Sequence, residues 1–186
     1  MRRSRCGALL MSIAVAAVFA ACGDDPPPPP PTLPIMPTAV PAAAIQVSGN
    51  GDIAVHPSAV AAFAVAVEFP IRIQETAGGT AIWNFFRVSY FKNGREIERN
   101  EQGADAIQAA GYRNIGARAT ITADIITRAN SSDWDDLELR LGFTDNKDAR
   151  VFEQVLNLDS FDGVVLDLTP ALIPDGSSFA IVETSE

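Results

Sequence analysis

The segment Phe63 to Ile73, "FAVAVEFPIRI", alternates apolar and other residues without a slip. Phe63, Val65, Val67, Phe69, Ile71 and Ile73 fall on one face; Ala64, Ala66, Glu68, Pro70, Arg72 and Gln74 fall on the other. A period of two over eleven residues spreads its apolar side chains all around a helix, but lines them up along one side of a strand. The Ala-rich start, "SAVAAFAVAV", also fits a helix capped by Ser58, but the alternation continuing through Ile73 selects a strand. Pro70 has no N–H to give a ladder, so its outward position predicts an edge strand or a bulge.

The same pattern recurs along the chain. In "AIWNFFRVSYF", Ile82, Phe86, Val88 and Tyr90 share a face with Asn84, leaving Trp83, Phe85 and Phe91 on the opposite one. Asn93-Gly94 follows, a dipeptide that tolerates positive φ at both positions and so predicts a tight hairpin, with a return strand from Arg95 to Arg99. "ARATITADI" turns Ala119, Ile121, Ala123 and Ile125 inward, and "LELRLGF" does the same for Leu137, Leu139, Leu141 and Phe143. "RVFEQVLNL" is their hairpin partner, with no clear facing. Asp105 is placed to cap one helical turn that Gly111 ends. Adding a strand near Ile45 to Val47, continued at Ile53 to Val55, gives about seven strands at sandwich-like spacing.

Strand order, the Asn93-Gly94 turn and the hairpin "LGFTDNKDARVFEQVLNL" resemble bacterial immunoglobulin-like or fibronectin type III-like domains. No Cys–Trp–Cys signature is present, so an antibody-type domain is not implied. The expected fold is an all-β, immunoglobulin-like antiparallel sandwich over residues 42–160, with one short helical crossing. A stretch of that length suffices for one hydrophobic core. Residues 161–186, broken by Pro170 and Pro174, are expected to be partly ordered, with "GVVLDLT" and "SFAIVE" as short strands on the sandwich.

The first 41 residues follow different rules. Arg2, Arg3 and Arg5 precede an uncharged apolar run, Gly7 to Ala21, "GALLMSIAVAAVFAA". A spanning helix needs about 20 apolar residues, so this run has the length of an export signal and not of a permanent anchor. Ala20-Ala21-Cys22 then resembles the end of a bacterial lipobox, although Phe19 stands where an aliphatic residue is usual. The resemblance implies a signal peptide at 1–21 and acylation of Cys22, which would tether the chain to a lipid bilayer. Gly23 after the cysteine, in place of an inner-membrane retention Asp, points to outer-membrane or periplasmic delivery in the cell envelope. Residues 22–41 form the tether: "PPPPPP" at 26–31 and further prolines to Pro41 favour polyproline II, reaching on the order of 50 Å at about 3.1 Å per residue.

Of the 2 cysteines, the second is Cys6, inside the basic cluster, so no thiol lies beyond Cys22. Disulfides, cysteine-ligated zinc and thiol catalysis are thereby excluded from the rest of the chain. Basic residues number 14 against 23 acidic; removing the three signal arginines leaves 11 against 23. Such an acidic domain is not drawn to nucleic acid or to anionic lipid.

Chemistry is sparse. Asp145, Asn146 and Asp148, and Asp133, Asp135 and Asp136, crowd two turns without the ligand spacing of a calcium loop, and Asp and Asn are ordinary turn residues. The single histidine, His56, reads as an exposed loop residue with no nucleophile pattern around it. Gly78-Gly79 lies in an inter-strand turn. The expectation is a non-enzyme with no cofactor and no metal. The contact candidates are aromatic: Trp83, Phe85 and Trp134 suit an envelope protein partner or, by stacking, a glycan. Alternatively, the C-terminal segment covers Trp83 and Phe85 and makes them secondary core.

Overall fold

The computed structural model describes residues 39–169 and 179–183. The segment expected to be a signal peptide, Cys22 and the prolines up to position 37 lie outside the described residues. Eleven strands occur among those described: β1 (Ile45–Gly49), β2 (Ile53–Pro57), β3 (Val65–Glu75), β4 (Ala81–Lys92), β5 (Arg95–Gln102), β6 (Asn114–Ile115), β7 (Thr120–Ala129), β8 (Asp136–Asp145), β9 (Val151–Asn157), β10 (Val164–Leu166) and β11 (Phe179–Glu183). One helix, α1 (Ala104–Ala109), lies between β5 and β6.

The strands form two sheets. One runs β10-β2-β3-β7-β11, with β1 continuing the β2 side of β3; the other runs β5-β4-β8-β9, with β6 beside the start of β4. The chain changes sheets between β3 and β4, β5 and β7, β7 and β8, and β9 and β10. This is the expected all-β sandwich, built from eleven strands among the described residues where about seven were expected. The inner faces meet in one core of Val67, Phe69, Ile71, Ile73, Ile125 and Ala129 against Trp83, Phe86, Val88, Tyr90, Leu137, Leu139, Leu141 and Phe143. The β8 alternation is the simplest case: all four predicted residues of "LELRLGF" are fully buried. Asn93 and Gly94 take positive φ, 50° and 72°, and close the β4–β5 hairpin.

Three expectations need correction. Pro70 is not on an edge strand: β3 pairs with β7 along its length and with β1 and β2 on its other side. Its carbonyl accepts from Asn50 N at 2.8 Å, so its missing N–H faces the break between β1 and β2, where no ladder bond is required. Helix α1 is capped by the Gly103 backbone without a side-chain bond, and Asp105 sits in its first turn; Gly111, at φ 87°, does end it. The C-terminal strands flank the sheet of β3, β10 against β2 and β11 against β7, and not the sheet that carries Trp83 and Phe85. The β10–β2 pair is parallel, the exception to an otherwise antiparallel scheme.

Glu75 continues the β3 alternation two residues beyond Ile73 and so points inward. Its carboxylate is 1% exposed and accepts four backbone N–H groups: Ala44 and Ala77 on Oε1 at 3.1 and 3.0 Å, Gly78 and Arg118 on Oε2 at 2.7 and 2.8 Å. Burial alone raises a carboxyl's pKa, but these donors outweigh it and hold Glu75 at about 2. One side chain thus ties together the approach to β1, the β3–β4 turn and the loop before β7.

Candidate functional site

The aromatic candidates part company at a β-bulge. Against β8, Trp83 pairs with Phe143, Phe85 with Gly142 and Phe86 with Leu141, so Asn84 is the extra residue. A bulge shifts the alternation by one position. Trp83 therefore joins Phe86, Val88 and Tyr90 inside the sandwich instead of standing opposite them. It is 0% exposed, packs on Phe86 and Phe143 at ring distances of 6.2 and 6.3 Å, and donates its indole N–H to Phe85 O at 2.9 Å. Trp83 thus presents no surface to a glycan or a partner, and it is the bulge, not the C-terminal segment, that buries it.

Phe85 stays on the outer face. Its ring lies directly over Gly142, where any Cβ would occupy the ring's space, and the Arg87 guanidinium stands 5.7 Å above the ring centroid. Trp134 is half-buried beside Tyr90, with rings 5.6 Å apart, and is packed against the core. These three aromatics therefore form no common site.

What surrounds Phe85 is more informative. Register places Val151, Thr144 and Ile82 in one row across β9, β8 and β4; Glu153, Gly142 and Phe85 in the next; and Val155, Arg140 and Arg87 in the third, which β5 extends with Glu101. Val151 is 67% and Val155 44% exposed, on a strand whose far side is unpaired among the described residues. Charged pairs border them. Arg140 bonds both Glu138 and Glu153, at 2.8 and 2.9 Å, and Arg87 bonds Glu101 at 2.7 Å. The Glu153 and then the Glu138 carboxylate push the Arg140 pKa up by hydrogen bonding to its guanidinium. The outer face thus intersperses the apolar Ile82, Phe85, Val151 and Val155 with ion pairs, Glu153 lying between the two valines and Arg140 between Val155 and Arg87.

Sequence reasoning missed Val151 and Val155 because the β9 alternation mixes Phe152, Gln154 and Leu156 on its inner side with valines outside. Gly142 did carry a signal: a glycine inside an alternating strand marks close approach by another group.

The other candidates fall elsewhere. Asp145 and Asp148 accept the N–H groups of Lys147 and Arg150 at 2.9 and 3.2 Å, Asp133 pairs with Lys92 at 2.7 Å, and Asp135 accepts Asn93 N. Asp145 and Asp148 thus serve their own turn, whereas Asp133 and Asp135 hold the β7–β8 loop to the β4–β5 hairpin. His56 is not an exposed loop residue: it lies in β2 and is 5% exposed. No helix among the described residues is long and apolar enough to cross a membrane.

No protein-family model matches this chain, and no curated protein matches it. Among solved structures, the crystal structure of a protein assigned as ApaA from Bordetella pertussis is similar over 63% of this chain and 94% of its own, at 10% identity and a TM-score of 0.43.

Proposed function

We propose that this protein is an exported lipoprotein, held to the cell envelope by acylated Cys22, whose sandwich is a non-catalytic module for contact with another envelope protein. The observation that carries the reading is Ala20-Ala21-Cys22 at the end of a basic, then apolar, leader and directly ahead of a proline-rich spacer. The spacer would hold residues 42–160 clear of the bilayer, and their acidic balance would keep them from lying on it. The contact surface would be the mixed apolar and ion-paired outer face that carries Val151, Val155 and Phe85.

Metabolic labelling with palmitate tests the anchor: label incorporated by the wild type and lost in Cys22→Ala supports it, and label that survives the substitution removes it. Crosslinking in the native envelope tests the contact. A specific adduct that disappears in the Val151→Asp, Val155→Asp double variant is expected. An adduct unchanged by that variant would move the contact off this face.

A further inference from the structure

The segment Asp162–Thr169 crosses from β9 to lie along β2 as a strap. Its bonds are Asp162 N to Gly51 O at 3.0 Å, Ile53 N to Gly163 O at 2.7 Å, and Asp167 N to Val55 O at 3.0 Å. Beneath its far end is His56. Nδ1 lies 2.8 Å from the Thr169 carbonyl oxygen, and Nε2, fully buried, lies 3.3 Å from Glu68 Oε2, off the line of a good hydrogen bond.

Counting protons makes this arrangement conditional. A carbonyl oxygen only accepts, and an ionised carboxylate only accepts, so the imidazole faces an acceptor at each nitrogen. Neutral imidazole carries one N–H and can serve one of them. Both are served only when the His56–Glu68 pair holds a second proton, as imidazolium with carboxylate or as neutral ring with carboxylic acid. The surroundings favour keeping it. Asp167, on the strap, has Oδ2 4.0 Å from Nδ1, and Asp124 on β7 adds negative charge near Glu68. Burial, then Asp124, raises the Glu68 pKa above its ordinary value, against the lowering effect of His56. Arg128, in the same row on β7 beyond Ala66, has its guanidinium over Phe63, 5.7 Å from the ring centroid.

We propose that His56 and Glu68 form a proton-operated latch that fastens the strap through Thr169 and loosens it as pH rises. When the shared proton leaves, one N–H remains for two acceptors, and the ring turns to aim it at the ionised carboxylate, because a hydrogen bond to a charged acceptor is the stronger one. The lone pair of Nδ1 then faces the Thr169 oxygen, and that contact is lost. The sign is that of a group binding its proton more tightly when the strap is closed: the fastening is complete at low pH and disappears as pH rises through the pair's titration.

Amide hydrogen exchange on the full chain, corrected for the intrinsic pH dependence, tests the latch. Protection of the Asp162, Ile53 and Asp167 amides is expected to fall about tenfold between about pH 5 and 8, with β4–β8 amides unchanged. In Glu68→Gln the amide side chain donates to neutral His56 without a titrating proton, so protection should become flat with pH. A flat wild-type profile, or the wild-type slope retained in Glu68→Gln, overturns the proposal. Nitrogen shifts of His56 in the wild type give a reading that needs no variant. The remaining proton should sit on Nε2 at high pH; finding it on Nδ1 would also overturn the latch.

Discussion

β3 and β4 are both central strands, and, apart from a second break in β4 against β5 between Tyr90 and Phe91, each carries one irregularity. In β3 it is Pro70, and the alternation passes through it unbroken from Val65 to Glu75. In β4 it is Asn84, and the alternation restarts one residue later, carrying Trp83 to the other face. The proline removes a donor where the neighbouring edge is itself broken, so nothing has to shift. The bulge adds a residue where the neighbouring strand is continuous, so everything before it changes sides. The visible breaker is harmless, and the asparagine between two aromatics, which looks innocuous, decides which tryptophan belongs to the core.

The largest effect that would sharpen this contrast is at Trp83. Trp83→Ala should cost about 3–5 kcal/mol in urea unfolding, as expected for a fully buried indole; a surface residue would cost a few tenths. A loss below about 1 kcal/mol would return Trp83 to the outer face and abolish the bulge.

Glu75, where the unbroken β3 pattern ends, comes next. In Glu75→Gln the amide N–H₂ faces backbone donors, and a loss of about 2–3 kcal/mol is expected. Its pKa, near 2 when folded and 4.5 otherwise, also sets a pH window. The carboxylate's contribution is full above about pH 4.5 and is lost as pH falls toward 2. The variant's stability should therefore vary less across that window than the wild type's, by equilibrium unfolding at a series of pH values.

Gly142→Ala should cost about 1–3 kcal/mol, because the new methyl meets the Phe85 ring. Combined with Phe85→Ala, the two losses should add to less than their sum, since the double variant removes the clash. Strict additivity would mean the ring does not lie on Gly142. The smallest effect belongs to Pro70→Ala, about 0.5–1 kcal/mol and mainly from a freer unfolded chain. A loss several times larger would show that β3 depends on its proline.

Much of the molecule was legible before any coordinates. Inward residues of β3 and β8 follow from alternation, because each strand has one buried face and a fixed period. Asn93-Gly94 placed the hairpin through its backbone preferences alone. Glu75 could have been found by carrying the β3 pattern two residues further. The outward valines were not legible, since Val151 and Val155 are as apolar as core residues and only pairing to Thr144 and Arg140 turns them outward.

By itself the sequence determined what depends on one strand at a time: periodicity, turn chemistry, and the lack of thiols beyond Cys22. Tertiary structure decided what depends on two strands together. The bulge at Asn84 exists relative to β8, the harmlessness of Pro70 relative to the gap between β1 and β2, and the burial of His56 relative to a strap 113 residues away. Facing and burial are properties of a pair of neighbours, and a chain read in order does not state which neighbours it will have.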